Sequence, residues 1–463
     1  MSRLFGTDGV RGVANVELTP ELAFQLGRYG AIVLAGETAH KPKILVGSDT
    51  RISCAMLESA LVAGICSAGA DAMVCGVIPT PGIAKLVKTY GCDAGVVISA
   101  SHNTFEFNGI KFFDGEGFKL QDRVEDKIEK YIKNEKLGKI NESENGLNLK
   151  RPQGEFVGHR YLCDKASNDY VQSLKQAFPL DLSGFKIAID CANGALSHIV
   201  VPLFEEFNAT VVSIGIHPDG TNINKDCGST HLHKLSDLVI KNHCDLGLAF
   251  DGDADRMLAV DSAGKIVDGD VIMAINALDM KKNNQLKEDT LVVTVMSNLG
   301  LDIFAKKNGI LLSKTKVGDR YVLEEMVKHG YTLGGEQSGH VILLEHSTTG
   351  DGLLSALRIL QIMGKTKKSL TELSSVMHIL PQVLKGAKVK NEFKSIIIND
   401  PELQSACNEM EKLLDGKGRI LIRASGTEPL IRVMLEGEDL EQISTMCQTL
   451  INMINQKFGV LKA

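Results

Sequence analysis

Residues 251–256 read DGDADR, with aspartates at alternate positions after an apolar run. Carboxylates spaced in this way can converge on one divalent cation, and hard oxygen ligands suit Mg²⁺ or Ca²⁺. Three solvated aspartates in a plain loop is the poorer reading, because like charges so close repel unless something neutralises them. An EF-hand is excluded: Arg256 and Ser262 stand where its loop requires Gly and Glu. Three aspartates leave an octahedral Mg²⁺ short of ligands. Water, or an oxygen on a phosphorylated Ser101, would complete the shell. Ser101 lies in residues 95–111, GVVISASHNTFEFNGIK. The β-branched run suits a buried strand, and Ser-His-Asn favours a turn at its end. Ligands bind at that edge of an α/β sheet. A serine there, beside His102 and shortly before Lys111, can be a nucleophile or a phosphate carrier, although a loop serine is more often only a turn residue.

Three further stretches carry candidate chemistry. Residues 423–432, RASGTEPLIR, place Ser425, Gly426 and Thr427 between two strand-like runs. Backbone amides and hydroxyls there, flanked by Arg423 and Arg432, suit a phosphate; the bland alternative is a hairpin turn. Residues 334–340, GGEQSGH, place Glu336 and Ser338 to hydrogen-bond sugar hydroxyls and His340 to act as acid or base. On its own this is a glycine-rich turn with one histidine. Near the N-terminus FGTDGVRG reads as a tight loop with Asp8 and Arg11 at its apex. In KVGDR, Lys316, Asp319 and Arg320 are explained well enough by a helix start. An ATP-type P-loop is absent, since Ile359 stands where the first glycine before Gly364-Lys365-Thr366 should be.

Composition bounds the setting of these residues. The 463 residues suggest about three domains, with 44% hydrophobic and 23% charged residues, as in ordinary globular proteins. A net charge of −6 gives no basic surface for nucleic acid or anionic membrane, so a phosphate site must be a local positive pocket. No apolar run approaches the roughly 20 residues of a membrane span, and the N-terminus has no signal-peptide core. Ten cysteines scattered singly, without C-x-x-C, read as reduced thiols in a cytoplasmic protein.

The elements that must position the chemistry come in rounds. Thr19-Pro20-Glu21 starts a helix, a strand ends at residues 48–51, a helix spans about 55–68, and a strand covers 71–77. Thr80-Pro81 caps a helix leading to the Ser101 strand, after which IKFF is a strand and residues 123–136 a charged helix. This alternation is that of parallel strands with crossover helices. A polar stretch over 134–154 reads as a boundary. A second round starts with a helix over 161–178, then strand 185–190, helix 196–207, strand 210–214, helix 235–243 and a strand into DGDADR. A hairpin follows, with residues 262–264 at its tip. A third round runs from about 268 to 363. From about 381 a small mixed sheet with helices follows, ending in a helix over 440–458.

FGTDGVRG, ISASHN with NGIK, DGDADR, GGEQSGH and RASGTEPLIRV, in that order over nearly all of the chain, resemble the α-D-phosphohexomutase family. FGTDGVRGVAN with LTPELAFQLGR, and the glutamine of GEQSGH, resemble its hexosamine branch; the glucose and mannose branches tend to carry Met there. Thr104 departs from the proline usual after SHN, and Ala254 from the common glycine. The resemblance implies an α/β chain: three similar α/β domains with mixed sheets plus a smaller C-terminal α+β domain, around a central cleft. Boundaries are expected at 1–152, 153–257, 258–376 and 377–463. Ser101 is implied as phosphoserine and as a metal ligand beside Asp251, Asp253 and Asp255, with one Mg²⁺ per subunit. Glu336 and Ser338 are implied to bind the sugar, and Arg423, Ser425, Gly426 and Thr427, with Arg432, the phosphate that does not react. Arg256 lowers the charge cost of transfer. Lys111, His340, His102 and Arg11 are candidates for proton transfer and electrostatic support, with the first two foremost.

The implied reaction interconverts hexosamine 6- and 1-phosphates through a hexosamine 1,6-bisphosphate that is intermediate and activator, feeding cell-wall amino-sugar synthesis. The fourth domain is expected to swing on a hinge near residues 377–381. The expected partner is a small phosphosugar, with no nucleic acid or membrane, for a monomer or homodimer. Glucose or mannose phosphate mutases, a phosphosugar phosphatase and a non-catalytic sugar-phosphate binder are the competing readings.

Overall fold

In a computed structural model of the chain the apolar run Ala94–Ile98 forms a fully buried strand, as its β-branched composition requires. The structure describes residues 3–6, 8–36, 40–136, 143–144, 147–425 and 429–459. It divides into two compact units, Met1–Met296 with Gly309–Val376, and Ser297–Asn308 with Met377–Ala463. Among the described residues no helix is long and apolar enough to cross a membrane. All ten cysteines are free thiols.

Three sheets of the larger unit are built to one plan. In the first, Asp71–Val77, Lys43–Ser48 and Ala94–Ile98 lie side by side and parallel, and Phe107–Asp114 closes the row antiparallel. In the second, Thr210–Ile214, Lys186–Asp190 and Leu246–Phe250 are parallel and Met257–Asp261 is antiparallel. In the third, Leu311–Thr315, Thr290–Thr294 and Leu333–Gly335 are parallel and Val341–Leu343 is antiparallel. In every sheet the loop from the third parallel strand to the antiparallel one carries a candidate site: Ser101, the aspartates of DGDADR, and Glu336 with Ser338. A repeated topology therefore presents three equivalent loops at the carboxyl ends of parallel strands, the edge where ligands bind.

Helices Pro20–Ala35 and Cys54–Ser67 cover the first sheet and cross closely. A Cβ added at Gly27 would lie 2.2 Å from the Leu61 carbonyl oxygen, and one at Gly64 2.1 Å from that of Phe24. The two glycines let the backbones touch, with Leu26, Leu57 and Leu61 buried around them.

Three local readings are corrected. FGTDGVRG is not all loop: Val10–Val13 is an edge strand antiparallel to Phe107–Asp114, with Val10 opposite Ile110. Its residues alternate between buried and half-buried, a period of two in a stretch too short to stand out. The helix expected from residue 161 begins at Ala166. Arg160–Leu162 instead adds a parallel strand to the open edge of Asp71–Val77, where backbone pairing outweighs side-chain pattern because all three residues are exposed. The helix expected over 196–207 is only Val200–Glu206. Its N-terminal part is held as turns because the Ala195 amide donates to the Gly252 carbonyl at 2.8 Å, against the aspartate loop.

In the smaller unit Gln382–Lys388, Leu430–Gly437 and Gly418–Ala424 form an antiparallel sheet. Helix Leu440–Phe458 buries Ile443, Cys447, Leu450 and Ile454 in its core. Helix Leu299–Asn308, which the sequence places within the third round, belongs to this unit. Its first amide donates to Glu436 at 2.9 Å, and Arg419 pairs with the same carboxylate at 2.6 Å.

Candidate active site

The strand Ala94–Ile98 delivers Ser101 to a turn in which its backbone is left-handed, at φ 52°. Its hydroxyl is fully buried and donates to Asp251 Oδ2 at 2.5 Å. The second sheet's loop closes over it. Asp251, Asp253 and Asp255 are buried, and their ligand atoms all lie within 4.8 Å of one another. Alternation in the short loop turns the three carboxylates to one place. Ala254 makes the reversal at φ 59°, where glycine would be unstrained, so the departure from glycine has a conformational cost. Asp253 Oδ1 and Asp255 Oδ1 are buried without a hydrogen-bond partner. Crowded hard oxygens with unfilled lone pairs fit a divalent cation. Burial, then the charges of Asp255 and Asp253, push the Asp251 pKa well above the usual carboxylate range, as expected of a trio waiting for positive charge.

Lys111 Nζ lies 2.7 Å from Asp253 Oδ2 and 3.0 Å from Asp8 Oδ2. Burial works against its charge, but Asp253, Asp8 and Asp255 outweigh it and raise the pKa, so Lys111 stays a cation. Arg11 pairs with Asp8. Lys119 Nζ joins Asp8, at 2.5 Å, to Asp319. His340 faces Asp319 at 3.5 Å and Asp255 at 3.7 Å. Burial lowers its pKa, whereas the hydrogen bond to Asp255 and the charges of Asp319 and Asp255 raise it overall. In the neutral ring Nε2 accepts the Gly350 amide at 3.0 Å, which places the proton on Nδ1, toward Asp255.

Arg256 reaches back to Ser101's neighbour, donating from Nη1 to His102 Nδ1 at 3.1 Å. Burial, and then Arg256 and Arg11, lower the His102 pKa to about 4, so the ring is neutral and orients Arg256. Glu336 accepts from the Gly318 amide at 3.1 Å, and the Ser338 hydroxyl is buried without a partner.

Several participants lack any local sequence signal. Thr80 Oγ1 donates to Asp253 Oδ2 at 2.5 Å across 173 residues. Lys119 is in no motif. Asp319 does start the helix Asp319–His329, but its carboxylate also serves Lys119 and His340.

In the smaller unit Arg423 and Arg432 are directly opposite in the antiparallel pair, which puts both guanidiniums on one face. Burial, and then the charge of Arg432, lower the Arg423 pKa. Lys394 Nζ donates to the Ser425 carbonyl at 2.7 Å. Gly426 and Thr427 lie outside the described residues.

Known proteins carry the same layout. Models of the alpha/beta/alpha domains I, II and III of phosphoglucomutase/phosphomannomutase match residues 2–139, 168–264 and 268–379, and that of the C-terminal domain residues 384–453. The chain belongs to the phosphoglucomutase/phosphomannomutase family and is an enzyme of the mutase type. It is similar to the phosphoglucosamine mutase of Clostridium acetobutylicum, at 55% identity over 99% of this chain and 100% of the relative. The phosphoglucosamine mutase of Clostridium novyi is 56% identical over 99% of each chain. A solved phosphoglucomutase/phosphomannomutase family protein from Burkholderia thailandensis shares the fold, with a TM-score of 0.80 at 20% identity over 99% of each chain.

Proposed function

We propose that the chain interconverts glucosamine 6-phosphate and glucosamine 1-phosphate, with Ser101 carrying the phosphoryl group. The contact between the Ser101 hydroxyl and Asp251, inside the aspartate trio, supports this reading most. The names of the relatives favour the amino sugar over glucose or mannose.

In the first half-reaction the P–Oγ bond of phosphoserine breaks and a P–O bond to the free sugar hydroxyl forms, while that hydroxyl loses its proton. The product is hexosamine 1,6-bisphosphate. In the second half its other phosphoryl group returns to Ser101 Oγ. Asp251, Asp253 and Asp255 would hold one Mg²⁺, which supplies charge to the phosphoryl oxygens when bound. Phosphorylation replaces the hydroxyl donor on Asp251 with negative charge, so a cation becomes necessary there. Lys111 and Arg256 add fixed positive charge, with Arg11 held in place by Asp8. His340, with its proton on Nδ1, shares Asp255 and is the leading proton carrier. Glu336 and Ser338 bind sugar hydroxyls. Arg423, Ser425, Gly426, Thr427 and Arg432 bind the unreactive phosphate, the two arginines lying directly opposite each other on paired strands. Ser101, the aspartate trio, Glu336 with Ser338, and Arg423 with Arg432 each lie in a different one of the domains 1–152, 153–257, 258–376 and 377–463. The enzyme works in the cytoplasm on a diffusible phosphosugar that feeds amino-sugar nucleotide and cell-wall precursor synthesis.

The test is isomerisation of glucosamine, glucose and mannose 6-phosphates side by side, with phosphate release monitored. We expect the amino sugar to turn over fastest and the Ser101→Ala protein to be inactive. Stoichiometric phosphate release, or full activity without the Ser101 hydroxyl, would overturn the reading.

A further inference from the structure

Residues 101–107, the loop that carries Ser101, are held on two sides. Arg51 is buried to 2% exposure, and its guanidinium points at this loop from the carboxyl end of strand Lys43–Ser48. Nη2 donates to the carbonyls of Ser101 at 3.0 Å and Asn103 at 2.8 Å. Nη1 donates to those of Thr104 and Phe107. Nε donates to Asp49 Oδ2 at 2.8 Å. The same carboxylate oxygen accepts from Ser99 Oγ at 2.7 Å, and Ser99 Oγ in turn accepts the Ser101 amide at 3.0 Å. Ser101 is thus fixed at both its amide and its carbonyl.

The second side is Asn224, buried in the second domain, whose amide nitrogen donates to the same Ser101 and Asn103 carbonyls at 2.8 and 2.9 Å. The loop carrying Arg51 is itself tied to that domain. Thr50 Oγ1 donates to the Asn193 carbonyl at 2.6 Å and the Ile52 amide to the Gly220 carbonyl at 2.8 Å. A left-handed serine backbone is sparsely populated and persists only where its surroundings over-determine it. Arg51 and Asn224 are those surroundings.

We propose that Arg51 and Asn224 are positioning residues that aim Ser101 Oγ at the aspartate trio. Both side chains are buried. Both act through the backbone of the phosphoryl-carrying residue, and the proposal rests on the reading of Ser101 given above.

Arg51→Gln, Arg51→Lys and Asn224→Ala are compared with the unaltered enzyme for kcat, KM and Ser101 phosphorylation, the last by intact mass after incubation with hexosamine 1,6-bisphosphate. Misplacing a reacting atom by about 1 Å costs on the order of 100-fold. We expect kcat to fall about 100-fold in Arg51→Gln and about tenfold in Asn224→Ala, with KM changed less than about threefold. Phosphorylation should slow in parallel. Arg51→Lys, which cannot span four carbonyls, should rescue little. If Arg51→Gln loses its cooperative melting transition, Asn224→Ala, which removes only two hydrogen bonds, decides. Unchanged kcat in a folded Arg51→Gln or Asn224→Ala enzyme, or a loss confined to KM, overturns the proposal. An unaltered enzyme that fails to isomerise hexose phosphates overturns the mutase reading instead.

Discussion

Asp253 Oδ1 and Asp255 Oδ1 are buried acceptors without donors, beside a serine whose phosphorylation would add more negative charge. Asp253→Asn removes one of the carboxylate charges and should weaken Mg²⁺ binding by at least about tenfold, as read by titration calorimetry, with a matching fall in turnover. Equal affinity in the variant would remove Asp253 from the ligand set. Asp351 titrates for a different reason. It caps helix Gly352–Thr366, accepts from Tyr170 at 2.9 Å, and burial drives its pKa up to about 6, with the Leu354 amide and Tyr170 opposing. Its folded pKa lies above the unfolded value of 3.8, so the folded state holds the extra proton between those values. The resulting stability is fully present below the unfolded pKa and is lost as pH rises through about 6, a swing of about 3 kcal/mol. Asp351→Asn should remove about 3 kcal/mol of the fall in unfolding free energy between about pH 4 and pH 7, as read by chemical denaturation; an unchanged pH slope would contradict the assignment. At this scale the sequence was readable where partners are sequence neighbours. The aspartate trio and Ser101 announce themselves within short runs. Lys119, Thr80 and Arg51 act on residues brought near only by folding, and no spacing rule reaches that far.

The recurring element is a parallel strand that ends in a loop and returns antiparallel. Alternation of apolar strands and amphipathic helices made three of these rounds legible, because burial on both faces of a parallel strand leaves a continuous apolar run. Short edge strands were not legible. Val10–Val13 and Arg160–Leu162 are defined by backbone pairing to a neighbour, and their side chains carry little pattern. Helix crossings depend on single atoms. Gly27→Ala would set a methyl 2.2 Å from the Leu61 carbonyl and force helices Pro20–Ala35 and Cys54–Ser67 apart. We expect a loss of about 2 kcal/mol in chemical denaturation, within the usual range for overpacking. A variant as stable as the parent would mean that the two helices separate at little cost.

Over the whole molecule, two compact units share one chain that passes between them more than once, since Ser297–Asn308 lies with Met377–Ala463. Sequence order alone hides this, because that helix sits between two strands of the third sheet. Glu436 gathers the distant pieces of the smaller unit. It is fully buried and meets Arg419, the Leu299 amide and Gln382. Glu436→Ala leaves Arg419 without its buried partner and should cost about 3 kcal/mol, seen as earlier melting of the smaller unit in calorimetry. A single unshifted transition would show that the carboxylate does not hold these pieces together. The connectivity also bears on biosynthesis. Leu299 leaves the ribosome about 140 residues before Glu436, a wait of roughly 7 to 28 s at 5–20 residues per second. Through that interval Leu301 and Phe304 belong to a helix whose own sheet is incomplete, so their apolar side chains lack their final cover while the larger unit is being finished.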